Sequence, residues 1–469
     1  MVKMMIHRQK WLAWLLLLAM LFTLVIPVAA EDTAEVVEET GETVEEPFSI
    51  KAKAAMLVDL NTGRSIYEQN ADERVYPASL TKIMTCLVAL ENGNLSDIVT
   101  VSESALSTLD ADSSVAGLKV GEQMTLENML YCMMIVSGND ACNVIAEHIA
   151  GSTEDYVRMM NERAYELGCE NTHFVNVHGL HDEDHYTTVR DLSIITQAAL
   201  KSANFRQITG LPEYELPATN LSDARTLTTT NMLIYRHSAN NFFYPRASGI
   251  KTGYTSAAGR CVISTAKDDG VELLGIVCGA NTSIDQYGGL VMESFPECIK
   301  LFDYGFDGFS YVSAISPLYP LAQVTVKNSA GSEAVALAPK DAILALLPND
   351  YDESKMVIDI DVPDDEVEAP VKKGDILGSV NVTYDGEDLG TTDLLAIADV
   401  AKSELTAVAA ETSTYIQSNW WKWLVVIILL LLAALCVLVL VMKARRRRQR
   451  RQMLEQRRKA AERRWDDED

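Results

Sequence analysis

Residues Trp423–Met442 form an uninterrupted run of twenty residues without a single charge. At about 1.5 Å of helical rise per residue it is about 30 Å long, the thickness of a bilayer's hydrocarbon core. Trp420, Trp421 and Trp423 stand at its front edge, where indole rings favour the headgroup level. Lys443 and Arg445 to Arg448 close it behind. The pattern predicts a membrane helix over 423–442, with the preceding body outside the cell and the basic tail 443–469 in the cytoplasm. A second apolar stretch, Trp11 to Val28, follows Lys3, Arg8 and Lys10 and ends in Val28-Ala29-Ala30. Residues 1–30 therefore read as an export signal.

Charge divides the chain the same way. Formal net charge is −26, yet the tail 443–469 carries 12 Lys/Arg against 6 Asp/Glu. Residues 31–442 hold 60 acidic and 25 basic side chains. A body that acidic repels phosphate backbones, which argues against nucleic acid as a partner. Residues 31–48 read as an acidic, solvated linker. Seven cysteines lie outside the apolar run, an odd number with no CxxC, and most sit in apolar surroundings. They read as small buried hydrophobes rather than a disulfide framework.

Between Ser49 and Phe309 the patterning is mixed. Ala54 to Val58, Asn61-Thr62-Gly63 and Ser65 to Glu68 read as strand, turn and returning strand. Helical spacing follows, as in Leu80, Ile83, Met84, Leu87 and Val88, and again in Leu126, Met129, Leu130 and Met133. β-rich runs return at 261–266 and 271–277. Strands at both ends with helices between predict an α+β domain over 49–309, built on one antiparallel sheet. Residues 312–403 carry only short β-like runs, with Asp385-Gly386 as a hairpin turn, and predict a small all-β domain. Residues 404–419 read as a linker to the membrane.

Three motifs in the first domain carry chemistry. Ser79-Leu80-Thr81-Lys82 opens a helix after Pro77. A serine and a lysine three apart share a helix face, so the amine reaches the hydroxyl. A neutral lysine can take the serine's proton, but neutrality near pH 7 asks for a pKa about 3 units below the usual 10.4. Burial and a neighbouring cation both push that way. Ser137-Gly138-Asn139 sits between two helical stretches and offers a hydroxyl and an amide. Lys251-Thr252-Gly253-Tyr254 precedes a strand, with a cation and a hydroxyl suited to a carboxylate and a glycine that lets a backbone come close.

The run Tyr76-Pro77-Ala78-Ser79-Leu80-Thr81-Lys82-Ile83-Met84-Thr85 resembles the active-site segment of the serine-type D-alanyl-D-alanine carboxypeptidases, the low-molecular-mass penicillin-binding proteins. Gly121-Glu122 with Ser137 to Ala141 is similar to their second block. Gly249 to Thr255 with Ala258-Gly259 is similar to their third. The likeness runs from about Ala54 to Phe309, and Pro370 to Gly374 onward resembles their C-terminal β-domain. Many members carry a basic residue near the segment Ser283 to Gln286, which here has none.

The resemblance implies a penicillin-binding, transpeptidase-like fold and an acyl-enzyme mechanism on the peptide stems of peptidoglycan, inhibited by β-lactams. By that resemblance Ser79 is the nucleophile and Lys82 the general base. Ser137 and Asn139 assist proton transfer and hold the substrate, and Lys251 and Thr252 bind its terminal carboxylate. Gly253 and Tyr254 complete the substrate strand, with the N–H groups of Ser79 and Tyr254 as the oxyanion hole. No metal or organic cofactor is implied, and no protein partner is legible. His178, His181 and His185 with Asp182 and Asp184 have the residue types of a metal site but resemble a non-catalytic family segment. The run Asp110 to Asp112 reads as a loop beside the cleft. Two other readings stay open: a β-lactamase, and a penicillin-binding sensor or wall-binding protein without turnover.

Overall fold

The structure, a computed structural model, describes residues 48–109, 113–237, 242–286, 288–363 and 366–465. The expected export signal, nearly all of the acidic linker and the run Asp110 to Asp112 lie outside the described residues. Ile50–Asp469 forms one unit.

Its first part is an antiparallel five-stranded sheet covered by helices. In chain order the strands are β1 (Ala54–Asp59), β2 (Ser65–Gln69), β3 (Lys251–Thr255), β4 (Gly259–Asp268) and β5 (Val271–Ala280). Their spatial order is β2-β1-β5-β4-β3. Both chain ends of the domain thus meet in one sheet, as the strand–helix–strand reading predicts. β1 is buried along its whole length, so it runs as a continuous apolar strand rather than an alternating one. β3 ends the sheet, and the outer backbone groups of an edge strand are free to pair with an extended peptide.

The helices between β2 and β3 include α1 (Thr81–Asn92), α2 (Leu126–Met134), α3 (Asn139–Ala150), α4 (Thr153–Glu166) and α5 (Val189–Leu200). Side-chain oxygens fix where several of them start. Thr125 accepts from the Asn128 N–H, Ser152 from Asp155 and Thr188 from Asp191. The first nine residues of α1, Thr81 to Ala89, are all buried, which makes it a central helix rather than an amphipathic cover. Met56, Ile83, Met84, Met129, Ile263 and Ile276 share one core across sheet and helices. A sixth helix, α6 (Ser294–Gly308), packs on the sheet through Phe302 beside Gly275. The seven cysteines Cys86, Cys132, Cys142, Cys169, Cys261, Cys278 and Cys298 are free and buried.

From Phe309 onward the chain is β-structured. Phe309–Ile315 pairs with Ile343–Pro348, and a six-stranded sheet includes Ala322–Lys327, Ala334–Pro339, Met356–Asp361, Ile376–Tyr384 and Glu387–Ala396. Its tightest hairpin turns at Asp385-Gly386, where both residues have positive φ (50° and 84°), the geometry that asparagine or aspartate followed by glycine favours. Val324, Leu337, Val380, Val382 and Leu394 form a separate small core. Tyr311 ties the two parts together by donating to buried Asp59 at 2.7 Å, and Arg64 pairs with Glu387.

Residues 404–419, expected as a linker, are helical and continue into the apolar run as α7 (Glu404–Trp465), with a break in helical geometry at Asn419. Within it, Gln417–Lys459 contains an 18-residue window of mean hydropathy 3.7, none of it buried against the protein. A helix that long and apolar is compatible with a single-pass membrane anchor.

Candidate active site

Ser79 lies in a single 3-10 turn, Ala78–Leu80, that leads directly into α1. The turn is held from below by a short relay. The Val175 N–H donates to Nδ1 of His185 at 3.0 Å, which leaves the hydrogen on Nε2. Nε2 lies 2.8 Å from the Thr81 hydroxyl, which in turn donates to the Ala78 carbonyl at 2.8 Å. Ala78 itself has φ of 47°, a left-handed backbone that a residue with a Cβ holds only under restraint.

One turn further along α1, the Lys82 amine is fully buried. Nζ is 2.9 Å from Ser79 Oγ, 2.7 Å from Asn139 Oδ1 and 2.8 Å from the His178 carbonyl oxygen. Burial pushes its pKa down, partly opposed by Cys142 and the Asp140 carboxylate. Asn139 is the first residue of α3, after the turn at Ser137, whose φ is 62°. Asp140 fastens that turn to the loop before it, accepting from the N–H groups of Ala116 at 2.9 Å and Leu118 at 3.1 Å. Glu122, buried, does the same for the loop's far end. It accepts from the Lys119 N–H and the Thr219 hydroxyl, with Arg225 at 3.5 Å.

The third motif forms the opposite wall. Lys251 is buried, and both burial and the charge of Lys82 hold its pKa well below the ordinary lysine value. Its Nζ donates to the Thr252 carbonyl at 3.0 Å. A Cβ on Gly253 would come within 3.0 Å of the Pro77 carbonyl oxygen and 3.1 Å of the Ser79 nitrogen, so the absence of a side chain is what lets β3 lie against the serine turn. Ser79, Ser137, Asn139, Thr252, Gly253 and Tyr254 all line one cavity of about 880 Å³. Lys82 is buried behind it, bonded to Ser79 and Asn139, and buried Lys251 precedes Thr252 in β3. Six of the eight sequence-predicted site residues thus line one cavity, and Lys82 is tied to two of them by hydrogen bonds.

Sequence reasoning missed other members of this cleft. The Thr230 hydroxyl is 2.7 Å from that of Thr252, and Arg260 lines the same cavity. The His178 main-chain carbonyl is a partner of Lys82, a contact that no side-chain motif announces. Burial lowers the pKa of His178 to about 3 and that of His185 to about 4. The unfolded chain takes up these protons near pH 6.5 while the folded chain keeps both rings neutral down to those values. The unfolded state then binds more protons, so stability falls as pH drops from 6.5 toward 4. At about 1.4 kcal/mol per proton per pH unit the loss amounts to several kcal/mol. Urea midpoints of the detergent-solubilised chain are expected to drop between pH 7 and pH 4.5, and less steeply in His185→Gln. Equal slopes for both proteins would contradict the assignment.

Comparison with known proteins points one way. A sequence profile of the D-alanyl-D-alanine carboxypeptidase family matches residues 40–282, and one of the penicillin-binding protein 5 C-terminal domain matches residues 317–402. D-alanyl-D-alanine carboxypeptidase DacF of Bacillus subtilis is 35% identical over 75% of this chain and 87% of its own length. DacA of Escherichia coli K12 is 31% identical over 75% of this chain and 84% of its own. Among solved structures, penicillin-binding protein 5 of Haemophilus influenzae superposes with a TM-score of 0.59 at 28% identity, over 76% of this chain and 99% of its own. With its serine–lysine cleft and trailing β-domain, the chain belongs to the serine D-alanyl-D-alanine carboxypeptidases.

Proposed function

We propose that this protein removes the terminal D-alanine from peptidoglycan pentapeptide stems through an acyl-enzyme on Ser79. The observation that carries this reading is the surrounding of Lys82. Asn139 Oδ1 and the His178 carbonyl are both acceptors, so a neutral amine gives them its two N–H bonds and turns its lone pair toward Ser79 Oγ. Burial favours that neutral form.

As Ser79 Oγ bonds to the carbonyl carbon between the two D-alanines, its proton passes to Lys82 Nζ. The carbonyl oxygen takes up negative charge between the N–H groups of Ser79 and Tyr254, at the start of a helix whose dipole favours an anion. The C–N bond then breaks. The departing amine collects the proton from Lys82 by way of the Ser137 hydroxyl on the same cavity wall, and free D-alanine leaves. Water, deprotonated by Lys82, cleaves the ester, Ser79 regains its proton, and the shortened stem is released. Thr252 and Lys251 hold the terminal carboxylate until the D-alanine departs. A β-lactam presents a similar amide and is held as a slowly hydrolysed ester on the same oxygen.

The domain limits proposed with it are export signal 1–30, acidic linker 31–48, catalytic domain 49–309, β-domain 312–403, helical linker 404–419, membrane helix 423–442 and cytoplasmic tail 443–469. The catalytic domain then faces the wall outside the cell. The test is release of D-alanine from a pentapeptide by the full chain, blocked by prior exposure to penicillin. No release, or release that penicillin does not block, would overturn the proposal.

A further inference from the structure

We propose that Arg260 is a specificity-determining residue, binding a free carboxylate on the side chain of the stem's third residue. The inference rests on the Ser79 reading and deepens it by naming the class of stem the cleft takes.

Arg260 stands at the beginning of β4, opposite Tyr254 of β3. Its guanidinium carbon sits 3.9 Å from the centre of the Tyr254 ring, and Nε donates to the Thr282 hydroxyl at 3.2 Å. Stacking and that one bond fix the plane of the fork. Among the described residues it makes no ion pair. Arg64, Arg158, Arg163, Arg190, Arg206, Arg225 and Arg246 each pair with a carboxylate. Arg74 and Arg236, which like Arg260 show only ring stacking and no ion pair among the described residues, do not line the cavity. In a chain of net charge −26, an unpaired cation held on the wall of the substrate cavity is a strong local attractor for an anion.

Strand register says which anion. Lys251 and Thr252 take the terminal carboxylate, and the scissile carbonyl lies against the Tyr254 N–H. The rest of the stem therefore runs along β3 past Tyr254, away from Lys251. Tyr254 is two residues past Thr252, about 7 Å along an extended strand, so Arg260, opposite Tyr254, stands on the stem side of the scissile carbonyl rather than beside the terminal carboxylate. The third stem residue precedes the terminal D-alanine by two positions, about 7 Å, and its side chain covers the remaining distance. A carboxylate there, as on a diaminopimelate, meets the two terminal nitrogens of the fork. A lysine or an amidated side chain does not.

The experiment compares two pentapeptides that carry diaminopimelate in third place, one with its side-chain carboxylate free and one with it amidated. D-alanine release by the full chain is expected to show about tenfold higher kcat/KM for the free acid, the order of one charge-assisted contact. Arg260→Gln is expected to bring the two substrates close to parity, with Arg260→Lys retaining part of the preference. Penicillin acylation of each variant verifies that it is folded. The inference is overturned if the wild type has no preference, if Arg260→Gln keeps it, or if Arg260→Gln slows both substrates by one factor, as a terminal-carboxylate contact would. A wild type that releases no D-alanine from either peptide defeats the Ser79 reading, and this inference with it.

Discussion

Ser79→Ala, Lys82→Met and the double variant are expected to fall to one common residual rate of D-alanine release. The two side chains act as a unit. Without the Ser79 oxygen there is no ester to form. Without the Lys82 amine the hydroxyl must lose its proton to water across a buried wall. Loss of a positioned general base costs about 10²–10⁴ in rate, and loss of a nucleophile more, while members of one catalytic unit are far from additive. Methionine at position 82 fills the buried channel without a donor, so the Asn139 amide oxygen and the His178 carbonyl lose their partner. Some loss of stability accompanies the loss of rate. A melting curve run beside the activity assay separates the two. Because burial lowers the Lys82 pKa, wild-type kcat/KM is expected to rise with pH as that amine loses its proton, below the usual lysine value. That acid limb disappears in Lys82→Met. A double variant much slower than either single one would show that the two residues contribute separately.

Gly179→Ala is expected to be the most damaging single methyl group in the molecule. Gly179 has φ of 89°, and a Cβ there would lie 1.8 Å from the Ala78 carbonyl oxygen and 2.4 Å from its carbon. Both atoms are backbone, and the Thr81 hydroxyl bonded to that oxygen stands 2.8 Å from the same point. Neither side can yield without moving the turn that carries Ser79. Backbone displacements of this kind, with left-handed strain added, reach several kcal/mol. The expected outcome is protein that is poorly folded, or folded with Ser79 displaced and unreactive toward penicillin. Wild-type melting together with wild-type acylation would refute this.

Much of this was legible in the chain because the signals are local. Ser79 and Lys82 share a helix face by spacing alone, Asp385-Gly386 names its own turn, and Val262-Ile263 and Ile276-Val277 announce strands. The other half of the cleft was not legible, because its signals are long-range. Thr230 is one threonine in the run Thr228 to Thr230, and only strand placement sets it beside Thr252. His178 contributes a carbonyl, which every residue has. Arg260 becomes visible only when β4 pairs with β3. In the β-domain, Ala334–Pro339 and Ile343–Pro348 carry a weak strand signal of their own, because alanine and leucine have little strand preference. Their register comes from neighbours. Residues 404–419 contain good helix formers that read equally well as a solvated connector, and the membrane helix that follows extends through them.

The central claim is that one alcohol, made reactive by one buried amine, carries the acyl group. Its most direct measurement is intact-mass analysis of the full chain after benzylpenicillin, followed by peptide mapping of the adduct. A single penicilloyl group per chain is expected, on the peptide containing Ser79, with none in Ser79→Ala. An adduct on another residue, or no adduct on a folded wild-type chain, would contradict it.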